Sequence, residues 1–331
     1  MDFYIVLVDH IDYKSEDLSY QLKVKDDDLM TFFSKNILGP EILNINFQNW
    51  FGAFNKERIE EGNYFLARDS SVVGPFKNNE EIESFAQSKQ KLLHLFFGMS
   101  QGFSLSLWFI KDNSVNIPFS LTHNIQIGAG LPLTKNVMIS NSKGEYETVV
   151  FSKEDFDKAK EWLDYISDFY IQDDTGDREY GEYNNLNLDI NHNTNSFRRA
   201  LTYVEQARNT SFLPAKIAFY ISVLETLFVV TDSNTYKTPE RTAIFLEGTK
   251  EERTNNFKIV KDSYDVRSSF VHGSDIYKKH NKKLNLISSD LDEIVRKVLI
   301  KFFTEYQHLN YIGDDYKKVN QYFIDLVLGG S

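Results

Sequence analysis

The feature that most constrains this 331-residue chain is a change of hydrophobic period near its middle. Before residue 150, the runs 3–8, 20–24, 103–110 and 145–151 carry the aromatic and β-branched enrichment of strands. Among them lies one helical repeat over 80–97, in which Ile82, Phe85, Leu92, Leu93 and Phe96 recur near every 3.6 residues after Asn78-Asn79. A second helix is expected over 153–170, from the spacing of Phe156, Ala159, Trp162, Leu163 and Ile166. After residue 195 only the helical period remains. The two patterns call for different packings, so the expectation is an α+β domain over 1–172, an acidic, Asn-rich linker over 173–194, and an all-α bundle over 195–331.

Few breakers interrupt these elements. The chain has 16 Gly and 6 Pro against 48 aromatic residues (27 Phe, 18 Tyr, 3 Trp), which favours long, densely packed elements over loops. It has no cysteine, which removes disulfides, thiolate metal sites and thiol nucleophiles together. The apolar stretch 215–230 is interrupted by Lys216 and Glu225 and is shorter than the roughly 20 residues a bilayer requires. The N-terminus lacks the basic and small-residue marks of a signal peptide, so a soluble, cytoplasmic protein without a membrane partner is expected. The net charge of -11 argues against a surface that attracts nucleic acid everywhere, although a local basic patch is compatible with it.

The helical half divides at its capping signals. Ser196 is expected to cap a helix with Phe197, Ala200, Leu201, Val204 and Ala207 on one stripe, and Pro214 suits the first turn of the next. Thr238-Pro239-Glu240 should open a third helix. A fourth is expected from about Lys250 to His272, stopped by Gly273. Ser289 with Asp292 reads as a capping box for a fifth, and Asp314 should begin the last.

Chemistry concentrates in the segment Tyr264-Asp265-Val266-Arg267-Ser268-Ser269-Phe270-Val271-His272-Gly273. Phe257, Val260, Tyr264 and Val271 form one apolar stripe, and Ile259, Val266 and Phe270 another on roughly the opposite side. A helix with two apolar faces is held between two surfaces, one of which can belong to a second subunit. Arg offers a fixed fork of donors to phosphate oxygens, and His exchanges protons near neutral pH. Five residues apart on an ideal helix, the two are separated by about 140° and about 7.5 Å along the axis. The competing reading of the pair is a plain helix end, with His272 capping carbonyls and Arg267 bound to a carboxylate.

Leu224-Glu225-Thr226-Leu227-Phe228, Arg241-Thr242-Ala243 and the Arg267-x4-His272-Gly273 ending occur in an order and spacing that resembles the Apea-like branch of the HEPN superfamily, over about residues 195–310. The resemblance implies an all-α HEPN-type bundle that often dimerises so that two Arg-x4-6-His motifs face one cleft. Many such proteins are metal-independent endoribonucleases of RNA processing, toxin–antitoxin pairs or antiviral defence. By that analogy Arg267 binds the scissile phosphate and His272 is the general base or acid, with RNA as partner and neither cofactor nor metal. The position after the Arg, where many active members carry Asn, Asp or His, is Ser268 here.

Glu225 breaks an apolar helix and needs a partner, for which Arg241 and Arg267 are the expected donors. Arg241 and Tyr264 are read as supporting residues. From Arg241 to Lys283 there are 10 basic and 6 acidic residues, and Lys278, Lys279, Lys282 and Lys283 are candidates for contact with an RNA backbone. No GxxxxGK[ST], HExxH or GxSxG motif is present, and His10, His94, His123, His192, His280 and His308 lack metal-ligand spacing and read as surface or packing residues. The aromatic stretch 49–54 reads as core, with the lining of a ligand pocket as its alternative. Two functions follow: a HEPN-type endoribonuclease whose N-terminal domain regulates it or senses a protein or phage-derived trigger, or a non-catalytic HEPN module that binds RNA or protein.

Overall fold

The structure, a computed structural model, describes residues 2–15, 17–23, 29–69, 78–126, 128–134, 138–172, 196–228, 234–305 and 316–328. The acidic segment 173–194, His192, His308 and Asp314 lie outside the described residues. The chain divides into two compact units, Met1–Met138 with Glu147–Gly181, and Ile139–Tyr146 with Glu182–Ser331.

The first unit is built on an antiparallel sheet of six strands in the order β3-β4-β5-β1-β6-β7: β1 (Asp2–Leu7), β3 (Ser19–Lys23), β4 (Leu29–Phe33), β5 (Tyr64–Asp69), β6 (Phe119–Asn124) and β7 (Ala129–Thr134). A separate parallel pair joins β2 (Ile11–Lys14) to β8 (Val149–Ser152). Strand β1 lies inside the sheet and is buried along its whole length. Its side chains alternate between two cores, Phe3, Ile5 and Leu7 in one and Tyr4 and Val6 in the other.

The first core takes Phe47 and Phe51 from α1 (Ile45–Phe51) and Ile59 from α2 (Ala53–Glu61). The second takes α3 (Asn79–Ile110) and α4 (Lys153–Gln172), and centres on Phe156, whose ring meets those of Phe103, Phe32 and Tyr20 edge-on at 5.1–5.3 Å.

The expected strand over 103–110 is instead the continuation of α3, a single helix of 32 residues. The alternation Ser104-Leu105-Ser106-Leu107 imitates a strand, but the serines satisfy their hydroxyls on carbonyls: Ser106 donates to Gly102 O at 2.9 Å and Ser104 to Val115 O at 2.7 Å. Phe103 and Leu107 are then free to enter the core. By length and composition α3 is also apolar enough to cross a membrane, although 61% of its most apolar window is buried inside the fold.

The aromatic stretch 49–54 is core only in part. Gly52, with φ of 83°, separates α1 from α2; Phe51 is buried, whereas Trp50 and Phe54 are 54% and 68% exposed.

The second unit is helical: α5 (Ser196–Arg208), α6 (Leu213–Phe228), α7 (Asn234–Phe245), α8 (Lys250–His272), the short α9 (Lys278–Asn281), α10 (Leu284–Glu305) and α11 (Tyr316–Leu328). Helix α6 is central, with Ile217, Tyr220, Ile221, Leu224 and Leu227 all buried. Three expected starts are corrected. Ser196 is the first residue of α5 rather than its cap.

Helix α7 opens four residues before Thr238 and carries Pro239 inside it. Packing of Thr238, Ala243 and Phe245 outweighs the one hydrogen bond that proline removes. Helix α10 opens at Leu284, so Ser289 and Asp292 lie within it. Asp292 is buried and works as a tether, accepting from Tyr220 Oη at 2.6 Å and from Arg296.

The segment Ile139–Tyr146, which leaves and re-enters the sheet unit between β7 and β8, belongs to this bundle. Ser140 Oγ donates to Thr210 O at 2.8 Å and Ser288 Oγ to Ser142 O at 2.5 Å.

Candidate functional site

The candidate residues converge on the C-terminal half of α8. Its start is fixed by a capping box: Thr249 Oγ1 accepts from Glu252 N–H at 3.2 Å, while Glu252 Oε2 accepts from Thr249 N–H at 2.7 Å. Its end is a Schellman closure, in which Ser274 N–H reaches Ser269 O at 2.9 Å and Gly273 N–H faces Phe270 O at 3.4 Å. Gly273 takes φ of 67°, the left-handed region in which a side chain is disfavoured. His272 is therefore the last helical residue.

Glu225, on α6, is the pivot. Its Oε1 accepts from Tyr264 Oη at 2.6 Å and its Oε2 lies 3.4 Å from Arg267 Nη2. Tyr264 has a second partner, Thr238 Oγ1 of α7, at 3.0 Å. The single phenol proton goes to the carboxylate, so the threonine hydroxyl donates the second bond. Burial, and then the bond to Glu225, hold the Tyr264 phenol far above its ordinary range, and it stays protonated as a fixed donor.

Arg267 is thus held from behind by a chain running Thr238–Tyr264–Glu225. With its side chain 33% exposed it keeps further donors toward solvent.

Arg241 is not part of this chain. It donates to Phe228 O at the end of α6 and to Asn320 Oδ1 on α11, and its guanidinium stacks 4.9 Å from the Phe323 ring. Burial lowers its pKa. Of the two expected partners for Glu225, only Arg267 meets it.

His272 is exposed and makes no hydrogen bond or ion pair among the described residues, and Ser268 is exposed beside Arg267. Of the two apolar stripes, Val260, Tyr264 and Val266 are buried. Phe270 and Val271 are 39% and 56% exposed, and Phe270 meets the exposed ring of Phe212 at 5.8 Å. The last turn of α8 therefore projects past the core with aromatic and aliphatic surface uncovered. Lys278, Lys279, Lys282 and Lys283 are all exposed.

Of the histidines read as surface or packing residues, two are packed. His123 is fully buried on β6 between the rings of Phe47 and Phe51, and burial lowers its pKa. His280, on α9, is 3% exposed, with Nε2 3.3 Å from Asp265 Oδ2; Asp262 completes a trio whose ligand atoms lie within 4.8 Å of one another. The i, i+3 spacing of the two aspartates on a helix was visible in the sequence, but the third group depends on how α9 folds back. Comparison with family models, with curated proteins and with solved structures returns no match to this chain.

Proposed function

We propose that this protein is an endoribonuclease of the HEPN type, acting as a homodimer through its helical unit in prokaryotic antiviral defence or toxin function. The observation that carries the reading is the pairing of an oriented but partly exposed Arg267 with a partner-free, exposed His272 at one helix end. Glu225 and Tyr264 orient the guanidinium without consuming all its donors, as expected for a group that must still grip a phosphate.

On an ideal helix about 140° separates Arg267 from His272, so within one chain only the reach of the Arg side chain or a loosened last turn brings both to a single phosphorus. A second copy packed on the uncovered Phe270, Val271 and Phe212 surface brings the Arg of one protomer toward the His of the other. In the reaction, imidazole accepts the ribose 2′-hydroxyl proton and the 2′-oxygen bonds to phosphorus. The P–O5′ bond breaks and the departing oxygen takes a proton, leaving 2′,3′-cyclic phosphate and 5′-hydroxyl ends. Arg267 offsets the charge gathering on the non-bridging oxygens. The exposed lysines 278, 279, 282 and 283 supply backbone attraction.

Those lysines favour a second reading, an RNA-binding module without cleavage. The test incubates the purified chain with mixed RNAs in EDTA and maps the ends, beside His272→Ala and Arg267→Ala. Cyclic phosphate ends lost in both variants support the nuclease; undiminished cleavage in both removes it; retention of RNA without cleavage by the parent selects the binding module.

A further inference from the structure

We infer that Asp262, Asp265 and His280 form a binding site for a divalent first-row transition metal, Zn²⁺ being the best fit, which clamps α9 onto α8. The argument begins with chemistry. Two carboxylates and one imidazole are a mixed O/N set that suits Zn²⁺, Co²⁺ or Mn²⁺, whereas Mg²⁺ and Ca²⁺ favour oxygen alone.

The geometry agrees. Asp262 and Asp265 are one turn apart on α8 and share a face, and His280 approaches from α9. His280 Nε2 and Asp265 Oδ2 are 3.3 Å apart, long for a charge-assisted hydrogen bond. Two ligands on a tetrahedral ion, each about 2.0–2.1 Å from the metal, stand about 3.3 Å from one another. All three ligand atoms lie within 4.8 Å of one another, against about 3.3 Å on a tetrahedral ion, so closing the triangle asks for shifts of about 1.5 Å at most.

Burial supplies a second argument. His280 is 97% withdrawn from solvent on a helix of only four residues, in a segment otherwise made of exposed lysines and Asn281. So short a helix has little stability of its own. A metal linking it to the 23-residue α8 supplies what its length does not. It also offsets the repulsion between two aspartates on adjacent turns. Three protein ligands leave a fourth position for water.

The consequence reaches the candidate site. Asp265 and His272 are seven residues apart, within about 20° of the same helix face. A clamp at Asp265 would hold α9, which carries Lys278 and Lys279, against the face of α8 on which His272 lies. The inference does not rest on the nuclease reading, because its readout needs no RNA.

The full chain is stripped with a chelator, exchanged into chelator-free buffer and titrated calorimetrically with Zn²⁺, Co²⁺ and, as a control, Mg²⁺. The expected result is one Zn²⁺ per chain, Co²⁺ binding with visible d–d absorption, and no binding of Mg²⁺ over the same range. His280→Ala, and separately Asp262→Asn, which removes a less buried ligand and spares the fold, should each weaken Zn²⁺ by at least the roughly 10–100-fold that loss of an outer-shell partner costs. Lys297→Ala, an exposed position on α10, should bind as the parent does. Failure of the parent to take up Zn²⁺ or Co²⁺, or unchanged affinity in Asp262→Asn with circular dichroism intact, overturns the site.

Discussion

Two polar groupings, one in each unit, are built in opposite ways. In the sheet unit, charge is closed off: Lys89 is buried between Asp2 at 2.8 Å and Asp69 at 2.6 Å, and His123 is sealed among rings. The lysine is held between two carboxylates and the imidazole is shut away from solvent, so neither is placed to meet a ligand. In the helical unit, the chain Thr238–Tyr264–Glu225 is equally well satisfied but ends on Arg267, which remains partly exposed, and His272 follows with no partner among the described residues. Satisfaction behind and exposure in front separate a positioned group from a purely structural one.

The largest expected effect sits at the exposed end. On the proposed nuclease reading, His272→Ala should lower RNA cleavage by about 10²–10⁴-fold, the usual worth of a general acid–base group, while leaving stability within about 0.5 kcal/mol. End-mapping and thermal unfolding on the same sample measure both; a large loss of stability would put His272 on the structural side of the comparison.

The sheet unit should respond the other way. Phe156→Ala empties the centre of the aromatic core and should cost about 3–5 kcal/mol. Trp50, Trp108 and Trp162 all belong to this unit. The tryptophan fluorescence midpoint in denaturant should therefore fall, ahead of the far-ultraviolet circular dichroism that also reports the bundle.

Tyr264→Phe tests the boundary between the two behaviours. It removes a charge-assisted hydrogen bond to Glu225 worth about 1.5–3 kcal/mol. If the chain positions Arg267, cleavage should fall more than the affinity for RNA. An equal fall in both would mean that Tyr264 only supports the fold.

Gly273→Ala should cost about 1–2 kcal/mol through its left-handed backbone alone, since an added methyl there meets nothing within 4 Å. The melting temperature reports it.

The smallest effect is a pH dependence of the sheet unit. Burial holds the folded pKa of His123 below its unfolded value of about 6.5. The stability it contributes is complete above pH of about 6.5 and is lost as pH falls from there through the folded value. The fluorescence midpoint should thus be lower at acid than at neutral pH, with a flatter response in His123→Phe.

Much of the bundle was legible because helices announce themselves locally. The bounds of α8, from Lys250 to the stop at Gly273, follow from spacing and one glycine. Its capping box, Thr249-Lys250-Glu251-Glu252, is an equally local signal. Serine at alternate positions gives 103–110 the pattern of a strand, because a hydroxyl that bonds a carbonyl of its own helix looks in sequence like the polar face of a strand. The pattern of residues around Arg267 marked the place, but it left the Glu225 partner open between two arginines.

The sequence by itself determined the change from mixed to helical architecture, the extent of α8 and the types of side chain gathered near its end, since periodicity, capping and side-chain chemistry are local properties. Only the tertiary structure decided that Arg241 ties α6 to α11 while Arg267 meets Glu225, and that His280 is buried against Asp265. Those choices depend on how separate helices pack. Packing brings together residues 42, 79 and 15 positions apart, over distances at which no local pattern distinguishes one arginine or histidine from another.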